Sequence, residues 1–176
     1  AITQAANGAE VLEKLLLTAE SITVGIGLQI CLGIGYTLRH GYESPAAMSA
    51  YERAASLYTE IGDTDELVAL LAGLASTYRI NARLHQSAEI GRRIVALVEQ
   101  KQNLKLSILA YGTLGATLVN MGRLEEARSY LELSVDNNDF IESSVVAHMQ
   151  ATDPKVVALG YLAYALVPLG FIDRAR

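Results

Sequence analysis

The stretch YGTLGATLVNMGRLEEARSYL, residues 111–131, decides the fold. On either side of Gly122 its apolar residues recur at three- and four-residue spacing, the period of an amphipathic helix, and Gly122 stands where the first helix must stop. Within it Leu114 precedes the small Gly115, and Leu118, Gly122, Ala127 and Leu131 follow. The Leu-small pair recurs as Leu32-Gly33, Leu74-Ala75 and Leu162-Ala163, at separations of 42, 40 and 48 residues. Three positions after the small residue stand Tyr36, Tyr78, Leu118 and Leu166, and four later the turn residues His40, Ala82, Gly122 and Gly170. Five further come Ser87, Ala127 and Ala175, with Ala47 matching once two residues are inserted at GYESP. The second helix repeats its own spacing, as in Ala47, Tyr51, Ala54 and Ala127, Leu131, Ser134.

Self-similarity at this period means stacked helical hairpins, none of which can bury its apolar face alone. The fold class read from it is all-α, an α-solenoid of antiparallel hairpins. Helix signals agree: Ser44-Pro45 and Asp153-Pro154 each offer an N-cap with proline in the first turn, Asp63 precedes Glu66 by three, and Gly62, Gly122 and Gly170 mark stops. The implied helices span about 10–20, 22–39, 46–60, 64–81, 84–100, 103–121, 124–136 and 155–169. They group into one repeat domain over 1–176, with hairpins near 22–60, 64–100, 103–136 and 155–176 and residues 1–20 as the second helix of a preceding repeat. The longer joint 137–153 has room for a further helical turn. A start without methionine and an end at Arg176 inside a nascent helix suggest a piece of a longer chain.

Composition narrows the function classes. Of 176 residues 51% are hydrophobic, the mean hydropathy is +0.26 and the net charge is −5, with lysine and arginine scattered singly, which disfavours nucleic acid as partner. The lone cysteine, Cys31, excludes an internal disulfide and suits a reducing, cytoplasmic setting; it is expected to be a buried structural thiol. Ser21 to Leu38 run without a charge, close to the ~20 residues that cross a bilayer. Gln29, two threonines and four glycines make a buried repeat helix the better reading than a membrane span.

Chemistry-bearing patterns are absent. There is no phosphate loop, and Gly25-Ile26-Gly27 lacks the third glycine of a dinucleotide site. His40, His85 and His148 are far apart without metal-ligand spacing, and Glu125-Glu126 and Arg92-Arg93 read as solvated faces. No catalytic, cofactor-binding or metal-binding residue is assigned, and no cofactor is implied.

The repeat resembles the tetratricopeptide repeat (TPR), best at Tyr111, Leu114, Gly115, Leu118, Gly122, Ala127 and Leu131, although tryptophan and the closing proline are missing and the period is longer. The phrases GYESP with AYERA (41–54), IGDTDEL (61–67), LGATLVNMGRLEEARSYLE (114–132) and DPKVVALGYLAYALVPLGFIDRAR (153–176) look like the C-terminal repeats of bacterial predicted ATPases of the STAND type. Such chains commonly join the repeats to an adenylate or guanylate cyclase-type, kinase or DNA-binding domain. The resemblance implies a regulatory repeat region whose ATP-binding and catalytic parts lie outside these residues.

First helices line the concave face of such an array. The candidate groove residues are Ile30, Ile34, Ala72, Ser76, Arg79, Gly112, Ala116, Val119, Asn120 and Tyr164. With only Arg79 and Asn120 polar enough, a clamp for a peptide carboxylate built of lysines and asparagines is disfavoured. A small-residue groove suits a helix or an extended apolar segment of a protein partner, including a flanking domain of the same chain; the competing reading is that stacking closes part of it. The function expected is a non-enzymatic protein-interaction module of a bacterial signalling protein. The alternative is a helical-repeat domain of a transcription regulator that senses a small molecule. Uncapped repeat ends predict some self-association.

Overall fold

Among the residues that this computed structural model describes (3–5, 7–8, 19–58, 65–102, 106–136 and 153–175), all regular secondary structure is helical. The elements are α1 (Ala19–His40), α2 (Pro45–Tyr58), α3 (Asp65–Ile80), α4 (Leu84–Gln100), α5 (Ser107–Asn120), α6 (Leu124–Asp136) and α7 (Pro154–Leu166), closed by a 3-10 turn, Ile172–Ala175. The expected helix over 10–20 lies, except for its last two residues, outside the described residues, as do the joint up to residue 152, His148, and the Asp63 and Gly62 signals.

Two starts follow their caps. The Asp153 carboxylate accepts from the Lys155 amide at 2.8 Å, and the Ser44 hydroxyl accepts from the Ala47 amide at 3.4 Å, each with proline next in the chain. Helix α7 ends at Leu166 and not near 169, because Pro168 has no N–H with which to carry the ladder on.

The hairpin turns repeat in atomic detail. Ala82, Gly122 and Gly170 have φ of 59°, 74° and 84°. In each case the next residue's amide reaches back five positions (Arg83 to the Tyr78 carbonyl, Arg123 to Leu118, Phe171 to Leu166) and the turn residue's own amide reaches back three. That pair of bonds is the Schellman motif, which satisfies carbonyls the helix end leaves open. The first hairpin differs from the expected register. His40 is the last residue of α1, and Gly41, with φ 83°, makes the turn, its amide bonding the Thr37 carbonyl at 2.8 Å. Glycine adopts that backbone conformation without the Cβ penalty that Ala82 bears at its own turn, which favours Gly41 as the turn residue one position on.

Antiparallel pairs α1–α2, α3–α4 and α5–α6 form hairpins, and α2 on α3, α4 on α5, and α5 and α6 on α7 join them into a stack. The second helices meet their partners through residues forty apart: Ala47, Ser87 and Ala127; Tyr51, Gly91 and Leu131; Ala54, Ile94 and Ser134, all buried. Large and small alternate across the contact. A Cβ on Gly33 would lie 2.5 Å from the Tyr51 ring and one on Gly115 2.5 Å from Leu131, so in the α1–α2 and α5–α6 hairpins the glycine after the leucine is what lets the pair close. Thr37, Thr77 and Thr117 repeat at the same interval, each hydroxyl donating to the carbonyl four residues back. The Ser87 hydroxyl donates to the Ala75 carbonyl at 2.8 Å and lies 2.8 Å from that of Thr117, tying α4 to α3 and α5.

Helix α1 is long and apolar enough, by length and composition, to cross a membrane. Here it is the first helix of a hairpin, burying Ile22, Ile26, Gln29, Ile30, Gly33 and Thr37 while Val24 and Leu38 face outward. Cys31 lies on the outward side and is exposed, against the expectation of a buried thiol. It falls between Ile30 and Leu32, both buried, on the strip of α1 turned away from α2 and α3.

Candidate functional site

The first helices α3, α5 and α7 present side chains to one another across the inner face, and there the stack leaves a cavity of about 240 Å³. Ser76, Arg79 and Ile80 come from α3; Ile108, Leu109, Gly112, Thr113 and Ala116 from α5; Pro154, Val157 and Tyr161 from α7; Tyr42 comes from the α1–α2 turn. Three- and four-residue spacing puts each set on one side of its helix.

Four of the ten sequence-derived groove residues, Ser76, Arg79, Gly112 and Ala116, meet in this cavity. The other six lie elsewhere. Ile30 and Ala72 are 4% and 1% exposed within the inter-hairpin core, which closes the inner face toward α1. Ile34 and Val119 are half-buried against that core, Asn120 is exposed at the end of α5, and Tyr164 is 72% exposed.

Tyr161 is the cavity residue that the repeat register passes over. Its ring lies beneath the Arg79 guanidinium, 4.8 Å from ring centroid to Cζ, and its hydroxyl accepts a hydrogen bond from Arg79 Nη1. The available signal was its distance of four from Val157 and seven from Pro154, which fixes it to the same side of α7. Arg79 itself is only 9% exposed, an unusual degree of burial for a guanidinium. It is the charged side chain among the described lining residues.

Outside the cavity the polar chemistry is structural. The Tyr78 hydroxyl donates to Glu52 Oε1 at 2.7 Å and the Tyr111 hydroxyl to Glu99 Oε1 at 3.3 Å, clipping α3 to α2 and α5 to α4. Burial first, and then the carboxylate partner, pushes Tyr78 up to about 12 and raises Tyr111. Arg128 lies between Glu125 and Glu132 with its guanidinium over Phe171, and Arg123 pairs with Glu126. His40 and His85 are exposed, and among the described residues no three metal-ligating side chains cluster.

Hairpins with a first-helix inner face, a left-handed turn residue and small-against-large closure define an α-solenoid of TPR-like repeats. Among solved structures the chain is similar to BtubC (BKLC) from P. vanneervenii, with a TM-score of 0.69 and 16% identity over 99% of this chain and 67% of that one. It is similar as well to a putative kinesin light chain of Podosopora anserina with nearly identical TPR-like repeats, with a TM-score of 0.63 and 17% identity over 98% of this chain and 82% of that one. A variant of that protein superposes equally well. At these identities the likeness concerns the fold. No family model and no curated protein matches the chain.

Proposed function

We propose that this chain is a non-enzymatic helical-repeat module of the cytoplasm that receives a segment of a protein partner on its inner face. The observation that carries this reading is the inner-face opening among α3, α5 and α7, where Ser76, Gly112 and Ala116 are small enough for a partner's backbone to approach between larger apolar side chains. The resemblance of its repeat phrases to those of bacterial STAND-type ATPases supports a regulatory setting. In that setting the module transmits an input to an ATPase or cyclase-type output domain beyond these residues. Self-association belongs to the same proposal, since Val156, Leu159, Val167 and Ile172 leave an exposed apolar surface on α7 and the turn after it.

The test is capture of separately expressed ATPase-core and cyclase-type domains from chains carrying these repeats, comparing the wild-type module with Ser76→Arg. Ser76 is half-buried at the cavity wall, so the arginine fills the opening with little demand on the core. Capture by the wild type and at least tenfold weaker capture by a folded Ser76→Arg is the expected result; equal capture removes the inner face from the account.

A second reading, sensing of a small molecule, is favoured by one specific observation. The cavity is bounded by three helices and lined by a largely buried cation, Arg79, which the docking of an apolar segment does not call for.

A further inference from the structure

Among the described residues no carboxylate pairs with Arg79. Arg123, Arg128 and Arg174 each pair with a glutamate at the surface. Arg79 is nine-tenths buried, and its side-chain partners among the described residues are the ring and hydroxyl of Tyr161. A guanidinium carries five N–H donors, and one hydroxyl acceptor and one ring leave most of them available to a ligand in the cavity that Arg79 lines. The Tyr161 hydroxyl, having accepted from Arg79, retains its own proton to donate to another acceptor. Ser76 and Thr113 add hydroxyls to the same cavity, and its described lining contains no carboxylate.

We propose that this cavity binds a small monocarboxylic acid. The carboxylate lies against the Arg79 guanidinium and the Tyr161 hydroxyl, and the apolar remainder packs on Ile108 and Leu109. Three features select that class. The planar guanidinium fork matches a carboxylate in a way that an amide or an alcohol does not. One cation among the described lining residues, beside an α7 terminus already capped by Asp153, suits one negative charge and leaves a phosphate dianion under-neutralised. A volume of about 240 Å³ falls below the roughly 300–1,000 Å³ of sites for drug-sized ligands, which points to a compact acid. The inference rests on the sensing reading and is independent of partner capture, so either can fail without the other.

The experiment is an amide-resolved NMR titration of the full 176-residue chain. The probes are benzoate and isovalerate, their neutral amides, and a blocked tripeptide with a central glutamate. Saturable shifts at Gly112 and Thr113 with the acids, and binding of the amides at least tenfold weaker, are expected. Arg79→Met should abolish the response. Should that variant fail to fold, Tyr161→Phe, which keeps the ring beneath the guanidinium, decides the matter by weakening the acids threefold or more at an unchanged melting temperature. Equal binding of acids and amides, no saturable binding of either, or no effect of Tyr161→Phe overturns the proposal. Saturation by the glutamate peptide without the free acids also overturns it and returns the cavity to partner docking.

Discussion

Tyr51 fills space that two glycines leave empty. A Cβ on Gly33 of α1 would meet its ring at 2.5 Å and one on Gly73 of α3 at 3.1 Å, so one phenol ring packs both the closure of the first hairpin and its seam with the second. Burial, acting against the smaller effect of a hydrogen bond with Thr37, pushes the Tyr51 hydroxyl up to about 12 from 10.0. The folded chain therefore holds this proton more tightly than the unfolded chain. The stability tied to it is complete below pH 10 and is lost as pH rises toward 12, by about 2–3 kcal/mol. Urea denaturation at pH 9, 10 and 11 should show the midpoint falling over that interval, and Tyr51→Phe should lessen the fall, leaving the share carried by Tyr78 and Tyr111. A second residue-scale comparison uses glycines of opposite surroundings. A methyl on Gly115 would press on Leu131 Cγ at 2.5 Å, whereas one on Gly27 meets nothing within 4 Å. Overpacking costs about 1–3 kcal/mol and the helix-propensity gain of Gly to Ala is about 1 kcal/mol. Gly115→Ala should then lower stability, and Gly27→Ala should raise it by up to about 1 kcal/mol. Equal effects of the two in chemical denaturation would contradict the packing account.

At the scale of the elements, the hairpin turns offer a cleaner reading of backbone strain. Gly122 and Ala82 occupy equivalent left-handed positions with the same Schellman bonds, and a Cβ on Gly122 would touch nothing within 4 Å. Exchanging the residues therefore changes backbone conformational energy and little else. Gly122→Ala should cost about 1 kcal/mol, and Ala82→Gly should be neutral to stabilising by a similar amount, read as shifts in urea midpoint at constant slope. These turns also show what was legible beforehand. Proline, the Ser44 and Asp153 caps and the Leu-small pairs give the helices and their order, because those signals act within a few residues. The register at His40 was misplaced by one, since repeat alignment counts positions while a glycine one residue on, Gly41, takes the left-handed conformation at lower cost. The cavity was half legible for a related reason. Ser76, Arg79, Gly112 and Ala116 follow from helical spacing within α3 and α5, but which side of α7 turns inward depends on how it packs on α5 and α6. That rotation brings in Tyr161 and leaves Tyr164 outside. Cys31 carried no signal in its own vicinity, since an apolar run looks the same from every side until the hairpins stack.

For the whole molecule, the 51% hydrophobic content resolves into a core distributed along a stack, each hairpin touching mainly its neighbours. Stability in such an array is approximately a sum of hairpin terms and nearest-neighbour interface terms, so a lesion at one interface should act locally. The hairpin of α1 and α2 is joined to the next chiefly by α2 on α3, with Tyr51 at that seam. The hairpin of α5 and α6 is held from both sides, by α4 and by α7. Truncating the wedge, Tyr51→Ala, removes a buried aromatic ring at a cost of about 3–5 kcal/mol. In a nearest-neighbour stack that loss uncouples α1 and α2 from the remainder while α5 and α6 keep their contacts. Native-state hydrogen exchange should then show amide protection in α1 and α2 falling by a hundredfold or more, against less than tenfold in α5 and α6. An equal fall in every helix would mean that the hairpins unfold as one unit, and that the inner face cannot change shape at one end while the Arg79 cavity stays intact.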